Sequence, residues 1–231
     1  MIFDKLVFIH IPKTGGSSIR SSLDQNNNLI YQGSQFDYEK MGIPSHKKLK
    51  NRNILLKSFN KHMPFETIRL SPLYKNKPVI TFVRNPFSRV VSMYFECIRD
   101  KQHHIIGITK KTNFTEFLDH VLLKDHWFTI PMIEYIGEEN LGLINYIGKQ
   151  ENMINGLKHI DKKFNIKIEN KIRNYNNSIS KKYSPPDYTK FYNDDLNITK
   201  VYNLYKKDFQ IFKYDFFDFI NFEKRKINKI N

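Results

Sequence analysis

The segment from Lys5 to Ser22, KLVFIHIPKTGGSSIRSS, constrains this chain more than any other. Leu6 to Ile11 is an apolar, partly β-branched run of the kind that forms a buried parallel strand. Gly15 and Gly16 follow, and adjacent glycines permit a tight turn and close approach to the backbone. Small hydroxyl residues come next, with Ser17 or Ser18 placed to cap a helix. A strand that turns directly into a helix brings the free N–H groups of the helix start and its positive dipole end to one point. The Lys13 ammonium adds a full charge there, which makes the segment a phosphate-binding loop. It is not the Walker A form, GxxxxGK[ST], because Lys13 precedes Gly15 and Gly16 where Walker A places lysine after its second glycine.

A second segment repeats the logic at Pro78 to Arg99, PVITFVRNPFSRVVSMYFECIR. Val79 to Val83 reads as a central strand, Asn85 as a helix cap and Pro86 as the first helical residue. Val90, Val91, Met93, Tyr94, Phe95 and Ile98 give the helix its apolar bulk. Arg84 stands at the strand end, Ser92 about two turns into the helix, and Arg89 on a neighbouring face with binding and structural roles equally open.

Together HIPKTGGSS and RNPFSRVVSMY resemble the two nucleotide-binding segments of sulfotransferases that use 3′-phosphoadenosine 5′-phosphosulfate (PAPS). The resemblance is to the Golgi heparan- and chondroitin-type carbohydrate sulfotransferases and their bacterial relatives. It implies that Lys13, Thr14, Gly15, Gly16, Ser17 and Ser18 hold the 5′-phosphosulfate, and that the Arg84 fork and the Ser92 hydroxyl hold the 3′-phosphate. It also implies that His62, in the Lys-His turn after a strand predicted at Asn53 to Phe59, is the base that activates the acceptor hydroxyl. Glu66, one turn on if Pro64 opens a helix through Leu70, is the alternative base or an orienter of His62. NNSISKKYS resembles the loop that closes over the nucleotide, which brings in Ser178, Lys181 and Lys182. HWFTIPMIEYIG resembles the family's acceptor-lining stretch, with Met132 in place of a glutamine. No metal is required by this chemistry.

The rest of the chain frames these segments. Gln25 to Ser45 reads as a loop or irregular insertion. His103 and His104 lie in a substrate-facing loop, being adjacent and therefore not spaced as metal ligands. Asn113 to Leu123 is an amphipathic helix with Phe114, Phe117, Leu118, Val121 and Leu122 inward. Trp127 reads as a core residue. Leu143 to Ile147 reads as a strand, and a helix led by Glu151 runs to about Phe164. Val201, Leu204, Tyr205, Phe209 and Phe212 make a helical face expected to pack on the sheet, and 223–231 is a basic, frayed tail.

At 231 residues, 40% hydrophobic and 14% aromatic, the chain is long enough for one α/β core and is not of disordered composition. The expected fold is a single domain over 1–231, P-loop-like and three-layered, with a central mostly parallel sheet flanked by helices. A formal charge of +15 favours anionic partners such as nucleotides, acidic glycans, nucleic acid or anionic lipid. It is equally what a Lys- and Asn-rich surface gives. Cys97 is the single cysteine, so no intrachain disulfide forms and a reducing compartment is the simpler home. No signal-peptide core or membrane span is read, and the protein is expected in the cytoplasm of a bacterium or encoded by a virus.

The leading expectation is therefore a PAPS-dependent sulfotransferase acting on a hydroxyl of a carbohydrate, with an anionic glycan among the candidate acceptors and no specific nucleic-acid partner. Two rivals belong to other classes. A P-loop-like nucleoside or small-molecule kinase would need a magnesium-binding carboxylate at a strand end, for which no Walker B pattern stands out. A non-catalytic binder of nucleic acid or anionic polymer would use the charge and the aromatics alone.

Overall fold

A computed structural model describes residues 1–24, 27–31, 62–99, 106–123, 129–166, 168 and 187–215. In chain order its elements are β1 (Ile2–Phe3), β2 (Val7–Ile9), α1 (Gly16–Asp24), β3 (Leu29–Tyr31), α2 (Phe65–Arg69), β4 (Val79–Val83) and α3 (Pro86–Arg99). After these come α4 (Phe114–Leu123), α5 (Met132–Ile136), β5 (Tyr146–Lys149), α6 (Met153–Phe164), α7 (Asp195–Leu204) and α8 (Lys206–Ile211). Short 3₁₀ turns fill Glu138–Leu143, Gln150–Asn152 and Tyr188–Phe191. No helix among the described residues is long and apolar enough to cross a membrane.

The architecture is mixed α/β, and the described residues build a five-stranded sheet in the order β3-β1-β2-β4-β5. β2 pairs with β4 and β4 with β5 in parallel, while β1 is antiparallel to both β2 and β3, so β1 alone runs against the others. The parallel register sets Phe8 opposite Ile80 and Ile9 opposite Thr81. One face presents Phe8, Ile80 and Phe82 to Ile19 and Leu23 of α1 and to Leu157 and Ile160 of α6. Val7, Ile9, Val79, Thr81 and Val83, which alternate with these, are buried too, as a strand enclosed on both faces requires. The one hydroxyl among them, on Thr81, donates to the Ile9 carbonyl at 2.9 Å. A Cβ on Gly148 or Gly156 would overlap the Phe82 ring, so both glycines let β5 and α6 close on β4.

The described residues fall into two compact units, one within Met1–Arg84 and Met132–Ser184, the other within Asn85–Pro131 and Pro185–Asn231. The sheet belongs to the first. The second is helical, with Phe87, Val90, Val91, Phe114, Phe117, Val201, Tyr205 and Phe209 in its core. Two helix starts here follow local chemistry. Asn85 Oδ1 accepts from the Phe87 and Ser88 N–H groups at 2.9 and 3.4 Å, and Asn113 exchanges bonds with Glu116 in a reciprocal capping box. Arg89 is fully buried: its guanidinium donates twice to the Ile130 carbonyl, at 3.1 and 3.2 Å, and lies 5.4 Å from the Tyr205 ring centre. Its role is structural.

Several expectations are corrected. The first strand is Val7–Ile9 rather than Leu6 to Ile11, because the chain bends into the Lys13 loop after Ile9. Leu29–Tyr31, inside the stretch read as loop, is a strand paired with β1. Leu143 closes a 3₁₀ turn and the strand begins at Tyr146, where pairing with Ile80 starts. The helix expected from Glu151 begins as a 3₁₀ turn and becomes α-helical at Met153. The C-terminal apolar face is buried against α3 and α4, since Val201, Tyr205 and Phe209 join the helical core. The strand predicted at Asn53 to Phe59, His103, His104, Trp127 and the tail 223–231 lie outside the described residues.

Candidate functional site

The connections of this sheet reverse direction between β2 and β4. From β2 the chain passes through α1 to β3 on one side; β4 is followed in the sheet by β5 on the other. Open α/β sheets bind ligands in the crevice at the carboxyl ends of strands at such a reversal. The residues that leave β2 and β4 at that point are those of the Lys13 loop and Arg84.

The loop is shaped residue by residue. Lys13 takes φ 65° and Gly15 φ 82°, two left-handed positions within three residues. The Thr14 hydroxyl, buried, donates to the Ile11 carbonyl at 3.0 Å and closes the turn. The Gly15 carbonyl accepts from Ser18 and Ile19 N–H at 3.1 and 3.2 Å, which makes Gly15 the helix cap and corrects the assignment to Ser17 or Ser18. A left-handed glycine does this because it turns its carbonyl into the helix without a side chain to clash. The N–H groups of Gly16 and Ser17 are then first-turn donors with no acceptor inside the helix. No acidic side chain occupies the first turn of α1, so nothing there competes with an incoming anion. Lys13, Gly15 and Ser17 are partly open, whereas Thr14, Gly16 and Ser18 are buried. Thr14 and Ser18 therefore offer shape rather than exposed hydroxyls.

Arg84 comes to this loop directly. Its Nη1 donates to the Lys13 carbonyl at 3.2 Å, and its backbone N–H donates to Met132 Sδ at 3.4 Å. Met132, fully buried, thus uses its sulfur to hold the β4 exit. Beyond β5, the Gln150 and Met153 side chains pack where a Cβ on Gly15 would sit.

His62 enters from the segment ahead of α2. Its Nδ1 lies 2.8 Å from the His10 carbonyl, and its ring centre 4.3 Å from that of His10. A carbonyl oxygen only accepts, so a hydrogen bond there puts the proton on Nδ1 and, in the neutral ring, the lone pair on Nε2. His10 in turn stacks on Phe8 at 5.6 Å, and its ring fills the space a Cβ on Gly16 would take. Glu66 is half-buried in the first turn of α2, while the bond that orients the His62 ring runs to His10. Ser92 is half-buried on α3, in the helical unit. Ser178, Lys181 and Lys182 lie outside the described residues.

His10 and Gln150 were missed by sequence reasoning. His10 opens the quoted HIPKTGGSS segment, but nothing in its spacing announces a partner 52 residues away. Gln150 adjoins the expected Glu151 helix, and only the sheet order carries it to Gly15.

Residues 3–215 match the model of the sulfotransferase family. The chain belongs to that family. No curated protein and no solved structure matches it. As a sulfotransferase it is a transferase, and its matched span takes in the Lys13 loop, the Arg84 strand exit and His62 together.

Proposed function

We propose that this sulfotransferase uses PAPS as donor and a carbohydrate hydroxyl as acceptor, on a P-loop-like three-layer scaffold. The observation that carries the donor reading is the Arg84 guanidinium bonded to the carbonyl of Lys13, beside a helix start that has no acid in its first turn. Cationic groups gathered at one strand edge repel each other unless an anion offsets them. A doubly phosphorylated nucleotide provides that charge.

When bound, the donor supplies the sulfuryl group: a sulfur–oxygen bond forms to the acceptor as the bond to the 5′-phosphate breaks, and 3′,5′-ADP departs with the bonding pair. Lys13 and the N–H groups of Gly16 and Ser17 hold the 5′-phosphate and stabilise the charge that gathers on it. Arg84 holds the 3′-phosphate. His62 receives the acceptor proton at Nε2, the nitrogen the His10 carbonyl does not use. The formal charge of +15 suits an acidic glycan.

A thermal-shift panel with 3′,5′-ADP, ATP plus magnesium, heparin and DNA tests this, followed by a radiolabelled sulfate-transfer assay. The expected result is a rise in melting temperature with 3′,5′-ADP, and loss of at least about a hundred-fold in transfer for Lys13→Ala and for His62→Ala. A rise with ATP plus magnesium alone would point to a kinase. A rise with heparin and DNA alone, steeply weakened by salt and indifferent to Lys13→Ala, would point to a polymer binder.

A further inference from the structure

We infer that Arg84 is a positioning residue for Lys13, acting on the phosphate loop independently of any 3′-phosphate; the inference rests on the reading of that loop as the donor site. Lys13 sits at φ 65°, a left-handed conformation that a side chain with a Cβ adopts only against a steric penalty. Something must hold it there. The Lys13 carbonyl is held by Arg84 Nη1 at 3.2 Å, across 71 residues of sequence. Arg84 is itself anchored, because it follows directly on Val83, whose register with Lys149 ends the β4–β5 ladder, and because its N–H is bonded to Met132 Sδ.

The geometry then propagates. The peptide between Lys13 and Thr14 is planar and trans, so fixing its carbonyl toward Arg84 fixes the Thr14 N–H in the opposite direction. The Thr14 hydroxyl bond to Ile11 and the left-handed Gly15 complete the turn that aims the start of α1. Loss of the guanidinium removes this hold on the Lys13 carbonyl and shifts the residue toward relaxing out of its left-handed well. A nucleotide with a single 5′-phosphate would register that change, although it has nothing for a 3′-phosphate site to bind.

Calorimetric titration of the parent, Arg84→Gln, Lys13→Gly and the double variant with 3′,5′-ADP and with adenosine 5′-monophosphate tests this, alongside peptide-level hydrogen exchange of residues 12–19 without ligand. Arg84→Gln is expected to weaken 5′-monophosphate binding roughly ten-fold, and less than about two-fold when Lys13 is already glycine, which adopts positive φ without strain. Exchange over 12–19 should quicken in Arg84→Gln. Loss confined to 3′,5′-ADP, or equal losses in both backgrounds, overturns the inference and leaves the donor reading intact. Failure of the parent to bind either nucleotide sinks the donor reading, and unchanged exchange then decides against the positioning role as well.

Discussion

Replacing Gly16 with alanine sets two effects of opposite sign against each other. Gly16 is the first residue of α1 and its φ is not in the left-handed region, so alanine is conformationally allowed. On propensity alone the change stabilises by up to about 1 kcal/mol. The added Cβ, however, would fall within 3.0 Å of three atoms of the His10 imidazole, Nε2, Cδ2 and Cε1. That ring has little room to retreat, being 4% exposed and flanked by Phe8 and His62. Overpacking of a filled site costs about 1–3 kcal/mol, so steric overlap wins and the net loss is roughly 1–2 kcal/mol. At about 2–4 °C per kcal/mol for a chain of this length, the melting temperature should drop by a few degrees. Near-UV circular dichroism on heating measures it. The decisive control is the same substitution in a His10→Ala background, where the space is vacant and alanine should be neutral or stabilising. A variant that melts at or above the parent, or a cost equal in both backgrounds, would refute the reasoning.

Three further outcomes follow from individual contacts. Burial pushes the Tyr205 phenol up to about 12, with Arg89 opposing and Asp208 reinforcing, and pushes Tyr192 in the same direction. An unfolded tyrosine ionises near pH 10, so the unfolded chain sheds protons that the folded one keeps; stability is intact below about pH 10 and falls by roughly 3 kcal/mol through pH 12 for Tyr205. Tyr205→Phe should move the alkaline unfolding midpoint upward, and an unmoved midpoint would count against this account. Asn85→Ala removes the acceptor for the Phe87 and Ser88 N–H groups and should cost about 1 kcal/mol in urea unfolding. Gly148→Ala drives a methyl into the Phe82 ring and should cost about 1–3 kcal/mol; equal urea midpoints for the variant and the parent would show that β5 can yield.

What the sequence determined by itself is best seen in three elements whose pattern is complete within one turn or one strand. Apolar Val79 to Val83 makes a buried strand, Asn85-Pro86 a capped helix start, and the Phe114, Phe117, Leu118, Val121 spacing a buried helical stripe, because each depends on neighbours no more than four residues away. The Lys13-Thr14-Gly15-Gly16 run was legible as a tight turn into a helix for the same reason, although the cap moved to Gly15 once φ values were known. Tertiary structure alone decided that Leu29–Tyr31 is a strand, that the C-terminal helices close on α3 and α4, and that Arg89 is buried. It also decided the two bonds on which the site rests, His62 to the His10 carbonyl across 52 residues and Arg84 to the Lys13 carbonyl across 71. Both end on backbone carbonyls, which every residue carries, so no side-chain pattern could have marked them. The order and register of β2 and β4 set the exits that lead to Lys13 and to Arg84 side by side.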